Sequence, residues 1–171
     1  MISKDMTKAI NEQINKELFS AYLYQSMSAW AASQGYKGTA NWLQIQMQEE
    51  MTHAQKFYHY ILDQGEEVVL GAIDKPENKF SGPKDIFTKT LEHEKKVTAS
   101  INSLAALAQK ENDMATFIFL QWFITEQVEE EASAQEILDQ LKIMGDTGPA
   151  IYMLDKELST RVFTPPAAAA E

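Results

Sequence analysis

Four long segments of this chain repeat their apolar residues at alternating steps of four and three, a pattern that only a bundle of packed helices can use. The breakers between them are Gly35 with Gly38, Gly65 through Pro83, Asn112 with Asp113, and Gly145 through Pro149. They predict helices over about 4–33, 38–64, 83–111 and 113–143. A short fifth helix is expected over about 149–160, with Pro149 in its first turn. The tail over 161–171, with Thr164-Pro165-Pro166-Ala167, is expected to be disordered. A length of 171 residues favours a single domain over 1–171.

The links set the topology. A helix of about 28 residues is about 42 Å long, so the short links at Gly35 and Asn112 join antiparallel neighbours. The stretch from Gly65 to Gly82 holds about 18 residues and reaches about 60 Å when extended, the length of a bundle. The expected fold class is therefore all-α: a four-helix bundle of two antiparallel pairs joined by a long crossover, plus the short C-terminal fifth helix.

Carboxylates interrupt the core stripes. The first helix points Ile10, Ile14, Glu17, Ala21, Tyr24, Ser28 and Ala31 inward, and the second points Leu43, Met47, Glu50, Ala54, Phe57 and Ile61. The third contributes Phe87, Leu91, Glu94, Thr98, Ile101, Ala105 and Ala108; the fourth contributes Leu120, Phe123, Gln127, Glu130, Ala134, Ile137, Leu141 and Met144. No lysine occupies a stripe position, and the single arginine, Arg161, is expected outside the bundle. Buried carboxylates without a counter-charge cost several kcal/mol each or take up protons, so the cluster calls for bound cations. Glu50-Met51-Thr52-His53 sets a carboxylate and an imidazole three residues apart on one helical face. A carboxylate-rich set with one histidine and no thiolate suits iron or manganese, with zinc a competitor.

Composition narrows the function further. The chain has no cysteine, which excludes disulfides, iron–sulfur clusters and cysteine nucleophiles and points to the cytosol. A net charge of −10 attracts cations and repels phosphate backbones, so no nucleic-acid partner is expected. Charged and apolar residues alternate from Met1 to Phe19, and neither a signal peptide nor a membrane span is expected.

The residues resemble the ferritin family, and most closely its prokaryotic non-haem members, over essentially the whole chain. The likeness rests on Glu17 with Tyr24, on Glu49-Glu50-Met51-Thr52-His53, on Leu91-Glu92-His93-Glu94 and on Glu126-Gln127-Val128-Glu129-Glu130. It implies a ferritin-like bundle that stores iron and acts as a ferroxidase, oxidising ferrous iron with dioxygen or peroxide. It also implies a homo-oligomeric cage of about 24 subunits, consistent with the frequency of closed symmetric oligomers. Carried over by resemblance, one iron would be held by Glu17, Glu50 and His53 and a second by Glu50, Glu94 and Glu130, with Gln127 close by and Glu50 as the bridge. A third position would take Glu49, Glu126, Glu129 and Glu130. The fourth helix lacks the second Glu-x-x-His of a symmetric di-iron site, reading Gln127-Val128-Glu129-Glu130 instead, which leaves the second ion with weaker ligands. The alternatives are a soluble di-iron oxidase or peroxidase and a DNA-protecting mini-ferritin.

Several residues have two readings. Tyr24 lies seven positions after Glu17 and either serves the metal carboxylates or is a core tyrosine with a satisfied hydroxyl. Trp122 is either a redox neighbour or packing. His59 and His93 fall off the stripes and are expected at the surface, and Glu131 and Glu136 are expected to be solvated. Met51 gives no haem signal beyond a packing methionine, so no haem is expected.

Overall fold

A computed structural model describes residues 2–145 and 147–165. Among them are five helices and no strand: α1 (Lys4–Ser33), α2 (Lys37–Asp63), α3 (Pro83–Lys110), α4 (Met114–Met144) and α5 (Gly148–Leu158). Every expected helix is present, with no end displaced by more than two residues. The displacements have local causes. Asp113 stays outside α4 because its carboxylate accepts from the Thr116 N–H at 3.0 Å as a cap. Asn112 before it takes φ 56°, a left-handed value that asparagine tolerates better than most residues. The expected tail disorder falls largely on residues 166–171, which lie outside the described residues; Thr164 and Pro165 line a cavity on the flank of the bundle.

α1 packs chiefly on α2 and α3 on α4, while the link over 64–82 carries the chain back along α1. A ladder of amides on α1 guides that crossover. Asn11 donates to the Glu67 carbonyl at 3.1 Å and accepts from Val69 N–H at 2.7 Å. One turn on, Asn15 donates to the Ala72 carbonyl at 2.8 Å and accepts from Gly71 N–H at 3.0 Å, and Ser26 donates to the Glu77 carbonyl at 2.7 Å. These side chains satisfy a backbone that has no ladder of its own.

The inward stripes are buried with three exceptions. Met47 and Thr98 are half-buried, and Met144 is exposed. The apolar core is split in two. One half gathers Ile10, Ile14, Phe57, Ile61, Ile101 and Leu120; the other gathers Met27, Leu43, Phe87, Leu141, Leu154 and Leu158. Along every bundle helix the carboxylate-bearing turn falls between the residues of the two halves.

α5 docks on its own chain. Leu154 and Leu158 are buried in the second half of the core, while Tyr152, Met153 and Val162 remain exposed. The Asp155 carboxylate accepts from the N–H groups of Gly38 at 2.9 Å and Thr39 at 2.7 Å and from the Thr39 hydroxyl at 2.9 Å. Tyr36 gives α2 no side-chain cap, so an anion from the far end of the chain caps this helix N-terminus. Gly38 permits the approach, since a Cβ there would lie 1.5 Å from the Asp155 carbonyl oxygen. Asp155→Ala is expected to lower stability by about 1–2 kcal/mol, and Gly38→Ala by more, because it displaces α5. Denaturation midpoints followed by circular dichroism check the order.

Candidate metal centre

Glu17, Glu50, Glu94, Gln127 and Glu130 are all buried, each brought inward by its helical register, and His53 is buried one turn after Glu50. Ligand atoms of Glu17, Glu50 and His53 lie within 4.8 Å of one another, so a single ion can reach all three. His53 Nδ1 stands 3.6 Å from Glu50 Oε2, too far for a hydrogen bond. Both oxygens of Glu50 and Oε2 of Glu17 are buried with no hydrogen-bond partner. Orphaned carboxylate oxygens beside an imidazole are an arrangement that a cation completes, and this donor set fits iron.

The remaining carboxylates are better served. Tyr24 donates its hydroxyl to Glu94 Oε1, so the tyrosine is both a core residue and a partner of the cluster. Gln127 donates to Glu94 Oε2 at 3.1 Å, to its carbonyl at 3.3 Å and to the Thr98 hydroxyl at 3.3 Å. Gln46 donates to Glu130 Oε2. Glu49 is half-buried, Glu126 is half-buried and Glu129 is exposed; with Glu130 and His53 they line a cavity of about 590 Å³. Trp122 joins that wall, its ring 5.4 Å from the His53 ring and under the Lys56 ammonium.

Burial governs the protonation of the cluster. It raises Glu50 well above the usual carboxylate range, and the charges of Glu94, Glu17 and Glu130 push in the same direction. Glu94 is raised to about 7 by burial, against the downward pull of hydrogen bonds from Tyr24 and Gln127. Glu130 is raised to about 8 by burial and by the Glu94 charge. Burial also lifts the Tyr24 hydroxyl, and the Glu94 charge adds to it.

Three expectations are corrected. Arg161 does not stand clear of the bundle: its Nη2 pairs with Glu49 Oε2 at 2.7 Å and its Nη1 donates to Gln46 Oε1 at 2.6 Å. His93 is not a surface residue. It is half-buried between Phe19 and Tyr24, its Nε2 is 2.7 Å from the Ser20 hydroxyl, and burial with the nearby Lys96 lowers its pKa to about 4. A further departure concerns Glu131, which is half-buried and accepts from the Thr98 hydroxyl at 2.6 Å; His59 and Glu136 are exposed.

Gln13 and Gln46 lie off the stripes yet are buried. Gln13 is fully buried, donates to Glu17 Oε1 at 2.7 Å and accepts from the Ser100 hydroxyl at 2.5 Å. Lys16 in turn donates to Ser100 at 2.8 Å. Both amides stand four residues before a stripe glutamate, a spacing that the sequence displays.

The ferritin-like domain family matches residues 7–144 of the chain. The chain belongs to the ferritin family. The bacterial non-heme ferritin of Escherichia coli O6:H1 is 41% identical over 160 residues, covering 94% of this chain and 97% of that protein. The protein of the same name from Staphylococcus aureus is 39% identical over 163 residues, covering 95% and 98%. An open pore ferritin from the hyperthermophilic archaeon Archaeoglobus fulgidus superposes with a TM-score of 0.93 at 44% identity, covering 95% of this chain and 100% of that one. Among the described residues no ferritin helix here is long and apolar enough to cross a membrane.

Protonated carboxylates make metal binding release protons. Their folded values lie above the unfolded carboxylate range, so the folded chain holds more protons between about pH 4.5 and pH 8 and the metal-free protein loses stability as pH rises through that window. Zinc(II) loading at pH 7 is expected to release about one proton or more per subunit, and fewer as pH rises above 8. Calorimetry in buffers of different ionisation enthalpy measures the number.

Proposed function

We propose that this ferritin oxidises and stores iron: one domain takes up ferrous ions at a paired inner site and passes ferric product to an outer position and then to a mineral within a homo-oligomer. Membership of the ferritin family supports iron storage in general. The finer reading rests on one observation, the buried group of Glu17, Glu50 and His53 with carboxylate oxygens that no other group satisfies. Glu50 bridges the pair, since both of its oxygens are free of hydrogen bonds. Glu94 and Glu130 complete the second ion's set, and Gln127, turned as a donor to Glu94, is its holder and not a ligand.

Two ferrous ions each give up one electron and dioxygen accepts the pair. The chain's residues fix the ions, and the carboxylates favour the ferric product because added positive charge gains more from a dense anionic cage. Protons released as the carboxylates take metal leave through the cavity that Glu126 and Glu129 line. Tyr24, hydrogen-bonded to Glu94, holds that carboxylate in place. The acidity of the chain draws cations inward, and a cytosolic setting agrees with the absence of cysteine.

A homo-oligomer, in the family's manner a cage of about 24 subunits, is supported by apolar side chains left outside the bundle. Ile118, Val128, Ile143 and Tyr152 are each more than half exposed, and together they offer surface for copies of the chain.

Aerobic addition of ferrous iron to the assembled protein tests the reading, with formation of a soluble ferric mineral as the expected result. Glu50→Ala is expected to slow the initial oxidation by about a hundredfold or more while the helices stay intact, and stopped-flow absorbance reports it. Unchanged kinetics in a correctly assembled variant would remove this site from the reaction. Glu129→Ala is expected to preserve the first turnover and delay regeneration of the fast phase, as repeated additions of iron would reveal.

A further inference from the structure

Arg161 follows α5, and its carbonyl and side chain are held at four points besides its ion pair, one of them a hydrogen bond from Nη1 to the Trp42 carbonyl at 3.4 Å. Its backbone carbonyl accepts from Asn41 Nδ2 at 3.0 Å, its guanidinium carbon lies 4.6 Å above the Trp42 ring, and Nη1 reaches Gln46 Oε1 at 2.6 Å. The other arm of the fork, Nη2, pairs with Glu49 Oε2 at 2.7 Å. A planar, weakly hydrated guanidinium suits a site that combines stacking with two separate acceptors. Since Arg161 takes Gln46 Oε1, the amide must turn its Nε2 toward Glu130, where it donates to Oε2. One cation thus controls two carboxylates on different helices. The cavity of about 590 Å³ that contains Glu126 and Glu129 is bordered by Arg161, Thr164 and Pro165, so the segment after α5 lies along its edge.

We propose that Arg161 is a tethered cation that neutralises the outer position of the metal-free protein and is displaced from Glu49 when a divalent ion binds there. This rests on the reading of Glu49, Glu126, Glu129 and Glu130 as an outer iron position. A guanidinium and a metal ion cannot share Glu49 without placing like charges a few ångströms apart, and Gln46 occupies Oε2 of Glu130, leaving that carboxylate one oxygen for an ion. Competition lowers the affinity of the outer position without touching the inner group of Glu17, Glu50 and His53. Iron that reaches Glu129 is consequently held weakly and moves on. Arg161 acts through Glu49 and Gln46 and is a positioning residue.

Zinc(II) is the probe, because it binds without redox change. Calorimetric titration of the assembled, metal-free protein would be paired with anomalous diffraction from zinc-soaked crystals, which separates inner from outer occupancy. The side chains of Arg161 and Glu49 are about a quarter exposed (25% and 23%), so screening limits the effect. Arg161→Gln is expected to raise outer affinity about tenfold with inner affinity unchanged, and Arg161→Lys, which keeps the charge but not the fork, to fall between that variant and the parent. In the parent protein, zinc at the outer position is expected to break the Arg161–Glu49 pair. Equal outer affinity in the parent and Arg161→Gln would overturn the competition while leaving the outer position standing. Zinc bound in the parent with the ion pair intact would overturn the displacement. No outer zinc in any variant would overturn the outer position itself and this proposal with it.

Discussion

Four glutamates drawn into one layer of a helical bundle, with too few charges of opposite sign to balance them, are the constraint around which this ferritin is organised. Each is delivered by a helix whose other inward residues are mostly apolar, so the bundle cannot form without burying them. The chain meets the resulting strain in three ways. Burial pushes Glu94 and Glu130 toward the neutral form near pH 7; Tyr24, Gln13, Gln46 and Gln127 donate hydrogen bonds; and the remaining orphaned oxygens of Glu17 and Glu50 face a place for a cation.

Two relays soften the charge without filling the centre. Lys16 donates to Ser100, which donates to Gln13, which donates to Glu17; Arg161 donates to Gln46, which donates to Glu130. In both, a cation at the periphery orients an amide and the amide presents a donor to a buried carboxylate. A lysine or arginine placed directly in the layer would neutralise the glutamates and remove the reason for a metal to bind. An amide supplies a hydrogen bond and leaves the negative charge in place.

The same layer divides the apolar core, and each half is anchored differently. The half nearer the start of α1 is closed by the bundle helices with Ile2 and Val68 from the segments beside them, whereas the other half includes Leu154 and Leu158 of α5. The docking of α5 therefore has two consequences at a distance. It completes the core, and it carries Arg161 onto Trp42, Gln46 and Glu49. Stability at one end of the bundle and charge at the flank of the carboxylate layer are linked through one short helix held by Asp155 on the N-terminus of α2.

Periodicity and the breakers between repeats determined the helices and the length of the crossover, because a repeat of apolar residues at steps of three and four has one low-energy use and a chain of known reach can be measured against a helix. Periodicity also determined which turns face inward, and so that Glu17, Glu50, Glu94 and Glu130 are buried, since helical register fixes side-chain direction. What it could not contain is the partner of each side chain. His93 lies off its stripe yet is covered by Phe19 and Tyr24 of α1, and Arg161 lies beyond the bundle in sequence yet against α2 in space. Contacts between segments more than seventy residues apart depend on how helices lean on one another and where α5 comes to rest, and those are properties of the packed whole.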